Sequence, residues 1–181
     1  YIVALMTERL ELPESGGNVM EVGTGSGYQA AVLSRVAKSV MTLERIPALA
    51  ERARAALSRL GYANVTVRTG DGTQGAPDHA PYDGIIVSAA APDAPAPLLE
   101  QLADGARLAM PLGRGHSQVL TLFEKRGGTF SRTEVCPCAF VPLIEPVHSL
   151  QPVRARVLIS GGVQGVGFRY FAMREAVALG L

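Results

Sequence analysis

Hydrophobic positions along this 181-residue chain fall into blocks whose spacing alternates between the helical and the strand period. Ile2, Leu5, Met6 and Leu10 recur at helical spacing, and Pro13 with Gly16 and Gly17 closes that element. Asn18 to Val22 reads as a short strand running into a glycine-rich turn, with Gln29 to Ala37 as the helix beyond it. Ser39 to Leu43 is a second strand ending at Glu44. Leu49, Ala53, Ala56, Leu57 and Leu60 share one helical face between Pro47 and Gly61. Val65 to Val67 is a third strand entering Gly70-Asp71-Gly72. Tyr82 to Ser88 is a fourth, nearly apolar throughout, as parallel strands covered on both faces are. The spacing then predicts a short helix over Leu98 to Ala103 and a strand over Arg107 to Pro111. Gln118–Lys125 and Arg132–Leu143 form a hairpin around Gly127–Gly128.

Repeated strand–helix units finished by a hairpin predict an α/β fold: a doubly wound, Rossmann-like, mostly parallel sheet with an antiparallel edge. The pattern breaks over Pro142 to Pro152. A new strand (Arg154 to Ser160) and helix (Phe171 to Leu179) follow, placing a boundary near residue 150. Residues 1–145 therefore read as one domain, 146–152 as a linker and 153–181 as part of a second.

With 48% hydrophobic and 18% charged residues, the chain can bury a core. A net charge of +1, with acids and bases interspersed, argues against a nucleic-acid or anionic-membrane partner. No apolar run reaches the ~18–20 residues of a membrane span. Cys136 and Cys138 are too close for an unstrained disulfide, and no second pair completes a zinc site. The expectations are no metal, a reducing cytoplasm and a monomer.

Candidate chemistry gathers at strand ends. In Glu21-Val22-Gly23-Thr24-Gly25-Ser26-Gly27-Tyr28, glycines let a ligand approach the backbone, and the following helix presents free N–H groups. Gly25-x-Gly27-x-x-Ala30 also satisfies the dinucleotide fingerprint, so the loop leaves a nicotinamide-binding oxidoreductase open. Three acids shift the balance. Glu21, before the loop, suits a cationic amino-acid moiety better than a pyrophosphate. Glu44, ending the second strand, is placed to accept ribose hydroxyls, and Asp71 to accept from an adenine amino group. Plainer readings stand beside these: Glu21 or Asp71 as a cap, Glu44 as exposed surface.

Glu21–Tyr28, Leu43-Glu44-Arg45, Gly70-Asp71-Gly72, Gly75-x-Pro77-x-His79-Ala80-Pro81-Tyr82-Asp83 and Ala89-Ala90-Ala91-Pro92 resemble the protein-L-isoaspartate O-methyltransferase family, from Tyr1 to about Glu145. Gly70 to Pro92 is the specific part; the loop is shared by many methyltransferases. The resemblance implies a class I methyltransferase sheet and S-adenosylmethionine as cofactor. It also implies methyl transfer to the free carboxylate of L-isoaspartyl residues in damaged proteins and peptides, a repair reaction. By the same resemblance, Glu21, Gly23, Thr24, Gly25, Ser26, Gly27, Glu44, Arg45, Asp71 and Gly72 bind cofactor, and Val141, Pro142 and Leu143 close over substrate. His79 reads as a loop histidine, and His116 and His148 have no supporting context. The family's substrate-side serine precedes the residues matching Tyr1, so this chain is expected to bind cofactor but methylate poorly. A small-molecule methyltransferase of the same fold is the nearest alternative, and a fragment that only binds cofactor is another.

Gly162-Val163-Gln164-Gly165-Val166-Gly167-Phe168-Arg169 is a second glycine loop with an arginine, an anion cradle in kind. It resembles the opening of an acylphosphatase, a ferredoxin-like α/β sandwich, in which Arg169 would be the catalytic acyl-phosphate ligand. The asparagine that family needs on its next strand would lie past Leu181. The segment is therefore expected to be a βα fragment.

Overall fold

The computed structural model describes residues 1–115 and 117–144. His116, His148, Arg169, the expected linker and the acylphosphatase-like segment lie outside the described residues. Those described fall within one compact unit, Tyr1–Glu145.

The order is α1 (Ile2–Arg9), β1 (Asn18–Val22), α2 (Tyr28–Leu33), β2 (Ser39–Glu44), α3 (Pro47–Arg59), β3 (Val65–Thr69), two single-turn 3₁₀ helices (Gly72–Gln74 and Pro77–His79), β4 (Tyr82–Val87), α4 (Ala96–Glu100), β5 (Leu102–Arg114), β6 (Ser117–Arg126) and β7 (Thr129–Cys138). Seven strands make one sheet in the order β3-β2-β1-β4-β5-β6-β7. Pairing is parallel from β3 to β5 and antiparallel from β5 to β7. This is the parallel sheet with an antiparallel edge that the pattern predicts, and the order reverses between β1 and β4.

Successive residues of each central strand face opposite ways. Val19, Val40, Val67, Ile86 and Ala109 join Met6, Leu10, Ala30, Leu33, Ala50 and Leu57 in the core under α1, α2 and α3. Met20, Met41, Ile85, Leu108 and Met110 enter a second core, which α4 and the first residues after β4 cover with Leu98, Ala89 and Ala91. Parallel strands need both faces covered, which explains their near-continuous apolar runs.

Three boundaries differ most from the periodicity, by four or five residues. The helix expected over Gln29–Ala37 stops at Leu33. Asn64 Nδ2 donates to the carbonyls of Ser34 (2.9 Å) and Ala37 (3.1 Å), so a distant side chain stabilises a turn where helical bonds would continue. Leu102 and Ala103, expected in a helix, open β5 instead. The nitrogen of Tyr82 donates to Gln101 O and Leu102 pairs with Tyr82, which draws the chain into the sheet five residues earlier than its apolar pattern begins. β7 ends at Cys138 rather than Leu143, because the chain then leaves the ladder and crosses the sheet edge.

Candidate functional site

The turn after β1 places Gly23 (φ +94°), Gly25 (φ +53°) and Gly27 (φ +84°) in left-handed backbone. An L side chain resists that region, so glycine is required for the loop to close. A Cβ added to Gly25 would meet nothing within 4 Å, leaving open space above the backbone.

Glu44 organises this loop from the neighbouring strand. Its Oε2 accepts from Gly25 N at 2.9 Å and its Oε1 from Ile46 N at 2.9 Å, joining the glycine turn to the start of α3. Each oxygen keeps lone-pair capacity for a further donor. The next strand end arrives through Gly70 N, which donates to Glu44 O at 2.9 Å. Asp71 follows, and its Oδ1 accepts from Thr73 N at 3.0 Å, capping the 3₁₀ turn while the residue stays partly exposed. Gly72 sits against β1: a Cβ there would lie 2.3 Å from Val22 Cγ1. Ser88, beyond β4, faces Gly23, whose added Cβ would lie 3.5 Å from its Cβ. Gly23, Thr24, Gly25, Ser26, Gly27, Glu44, Asp71 and Gly72 thus gather at one edge, where parallel strand ends at a reversal of order form a crevice. Ser26 and Arg45 are exposed.

Glu21 is placed differently from the sequence expectation. Along β1 it shares the helix-side face with Val19, so its carboxylate lies beneath the loop, fully buried, instead of opening into the crevice. Thr42 Oγ1 donates to Glu21 Oε2 at 2.6 Å. The Thr24 and Thr42 hydroxyls are bonded at 2.6 Å, and either can donate. The chain Thr24–Thr42–Glu21 anchors the loop from below. Glu21 Oε1 has no partner.

Burial pushes the Glu21 carboxyl up to about 8, the Thr42 bond opposing and the nearby Glu44 charge adding to the rise. An unfolded chain would lose this proton near 4.5, so Glu21 favours folding below that pH and progressively less as pH climbs to about 8. Glu21→Gln should therefore flatten the fall of Tm between pH 4.5 and 8, read by thermal melts across that window. An unaltered slope would show that Glu21 is already ionised.

The loop between β3 and β4 is held by Gln101, which the pattern did not single out, together with Tyr82 and Arg68. Gln101 Oε1 accepts from Ala76 N (2.9 Å), its Nε2 donates to Gln74 O (2.8 Å), and Tyr82 OH donates to Ala76 O (2.8 Å). Arg68 forks onto both oxygens of Asp78 at 2.9 and 2.8 Å, and the guanidinium holds that carboxyl down at about 2. His79 Nε2 lies 3.1 Å from Arg68 Nη2, and the residue is exposed at the end of the Pro77–His79 3₁₀ turn, within the connection where a loop was expected.

Val141-Pro142-Leu143 runs parallel to the segment after β4. Ala90 N donates to Val141 O at 2.8 Å and Leu143 N to Ala90 O at 2.7 Å. Val141 is 56% exposed. Thr42, Ser88, Gln101 and Gln118 were missed in the sequence. Thr42 alone left a trace, a hydroxyl inside the apolar run Val40–Leu43, where a buried polar group needs a partner. Cys136 and Cys138 are free thiols, partly buried beside the helix-side core. Among the described residues, no cluster of three or more His, Cys, Asp or Glu is gathered for a metal, and no helix is long and apolar enough to cross a membrane.

Residues 1–148 match the family model described as protein-L-isoaspartate(D-aspartate) O-methyltransferase, and residues 155–181 match that of acylphosphatase. A protein-L-isoaspartate O-methyltransferase of Roseiflexus sp. (strain RS-1) is 54% identical over 144 residues, covering 80% of this chain and 66% of that protein. One of Methanocella arvoryzae is 52% identical over 146 residues, covering 79% and 77%. This chain thus spans just under two thirds of the length of the first of these relatives. Among solved structures, a protein-L-isoaspartate O-methyltransferase superposes with TM-score 0.72 at 32% identity, covering 78% of this chain and 46% of that one. A putative one from Plasmodium falciparum, in complex with S-adenosyl-L-homocysteine, superposes with TM-score 0.70 at 24% identity, covering 79% and 73%. The fold is that of class I S-adenosylmethionine-dependent methyltransferases.

Proposed function

Because the chain belongs to the protein-L-isoaspartate(D-aspartate) O-methyltransferase family, we propose that it binds S-adenosylmethionine and directs its methyl group to the free carboxylate of L-isoaspartyl residues in damaged proteins. One observation carries the cofactor reading: the Glu44 carboxylate, fixed by Gly25 N and Ile46 N, keeps free lone pairs at the mouth of a glycine turn with open space above it. That donor set fits a ribose diol held against bare backbone.

In this reading Glu44 accepts the ribose hydroxyls, and Gly23, Gly25 and Gly27 let the nucleoside approach the chain. Asp71 and Gly72 line the adenine. Asp71 Oδ1 accepts from the Thr73 amide and both carboxylate oxygens lie 2.9 Å from Thr73 Oγ1, which leaves each with lone-pair capacity for an exocyclic amine. Thr24 and Ser26 belong to the same turn, and Arg45 borders it. Glu21 contributes from beneath, through Thr42 and Thr24, by holding the turn. Val141, Pro142 and Leu143 cover the methyl acceptor and exclude water from it. S-adenosylmethionine would supply an electrophilic sulfonium methyl, to which a carboxylate oxygen would bond in line as the methyl–sulfur bond breaks and its electron pair leaves with sulfur. The protein's own contribution is alignment and exclusion of water, which require rigid strand ends more than an acid or base. We place the protein as a monomer, and the two free thiols suit a reducing cytoplasm.

The decisive measurement is transfer of labelled methyl to an isoaspartyl peptide and to its aspartyl counterpart. Transfer to the first alone is expected. Equal transfer to both, or stabilisation by NADH instead of S-adenosylhomocysteine, overturns the assignment.

A further inference from the structure

At Cys138, which pairs with Gln118, the chain leaves β7, and three residues later Val141 is bonded to Ala90 beyond β4. At most about 11 Å of extended backbone covers that crossing. The chain also changes faces along it. Cys138 and Phe140 pack against the core under α1–α3, whereas Leu143 packs against the core on the α4 side. This strap therefore passes over the edge of the sheet next to the post-β4 segment that carries Ser88.

Backbone that leaves a ladder needs other partners for its N–H and C=O groups. Gln118, on β6, supplies both for Phe140. Its Oε1 accepts from Phe140 N at 2.7 Å, and its Nε2 donates to Phe140 O at 3.0 Å and to Gly115 O at 2.8 Å. Accepting and donating in one fork is what a primary amide offers and a carboxylate or ammonium does not. At 5% exposure, water does not compete for these bonds. With Phe140 clamped, the following residues meet Ala90 in a single register: Val141 O accepts from it and Leu143 N donates to it.

We propose that Gln118 is a positioning residue for the methyl acceptor: through Phe140 it sets the register of Val141–Leu143 beside Ala90, and so the acceptor end of the crevice. This rests on the reading of Val141–Leu143 as the acceptor-binding segment. Gln118 lies on β6, separated from the glycine turn of β1 by β4 and β5 and from Glu44 on β2 by β1 as well, so cofactor affinity does not depend on it.

The test uses the full chain carrying Gln118→Leu, which keeps the bulk and removes all three bonds, and Gln118→Glu, which keeps only the acceptor. Amide hydrogen exchange at Ala90 and Leu143 should quicken about tenfold in Gln118→Leu and less in Gln118→Glu, while Ile85 and Ile86 hold. S-adenosylhomocysteine affinity should stay within about twofold, and KM for an isoaspartyl peptide should rise about fivefold with kcat little changed. A merely structural role would quicken exchange throughout β4 and β6 and weaken cofactor binding as well, which overturns the proposal. Unchanged exchange at Ala90 and Leu143 overturns it whatever the activity. Faster exchange with an unaltered KM removes the link to the acceptor. If the unsubstituted chain transfers no methyl to the peptide, the proposed function fails, and exchange still decides whether Gln118 sets the strap.

Discussion

Replacing Glu44 by alanine is expected to weaken S-adenosylhomocysteine binding by about 10- to 100-fold in calorimetric titration, since a hydrogen bond to a charged group is worth ~1.5–3 kcal/mol. Two effects act together. The ligand loses its carboxylate acceptor, and Gly25 N and Ile46 N lose theirs, so the glycine turn and the start of α3 come apart. Glu44→Gln separates the two. Its single amide oxygen can satisfy one of those N–H groups but not both, and the charge is gone, so affinity should fall between wild type and Glu44→Ala. A loss of less than about threefold in Glu44→Ala would mean the ribose is held elsewhere.

The second large effect is on stability. Gly113→Ala should lower Tm by about 10 °C, from a cost of roughly 3 kcal/mol or more in a chain of this size. At φ +130° the backbone already resists an L side chain, and the new Cβ would lie 2.0 Å from Ser117 O, a backbone atom with no rotamer to move. Relief requires β5 and β6 to separate where Gly113 N also donates to Ala91 O. Gly115→Ala is the control. Its φ of +56° is also left-handed, but nothing lies within 4 Å of the added Cβ, so about 1–2 kcal/mol is expected. Equal melting shifts for the two would show that the β5–β6 turn absorbs the clash.

Much of this protein was legible along the chain because the information was local. Val19 and Met20, or Ile85 and Ile86, sit next to one another in apolar runs that fit only strands covered on both faces, and the structure splits each pair between two cores. Glycines at 23, 25 and 27 mark a turn that only they can make. The gathering of Glu44 and Asp71 near Gly25 followed from one rule: parallel strands deliver their ends to a common edge.

Distant partners left no such trace. The early end of α2 depends on Asn64, 30 and 27 residues from the carbonyls it binds. Gln118 looks like an ordinary strand position until Phe140, 22 residues on, folds back to it. Glu21 shows the division most sharply. Its strand-end position and its alternation with Met20 could be read from the letters. Which face of the sheet would be roofed by α1 to α3 could not, and that choice turned an acid expected in the crevice into a buried anchor bonded to Thr42. Periodicity is a property of neighbours a few residues apart, whereas burial and hydrogen-bond partnership depend on how whole elements come to rest against each other.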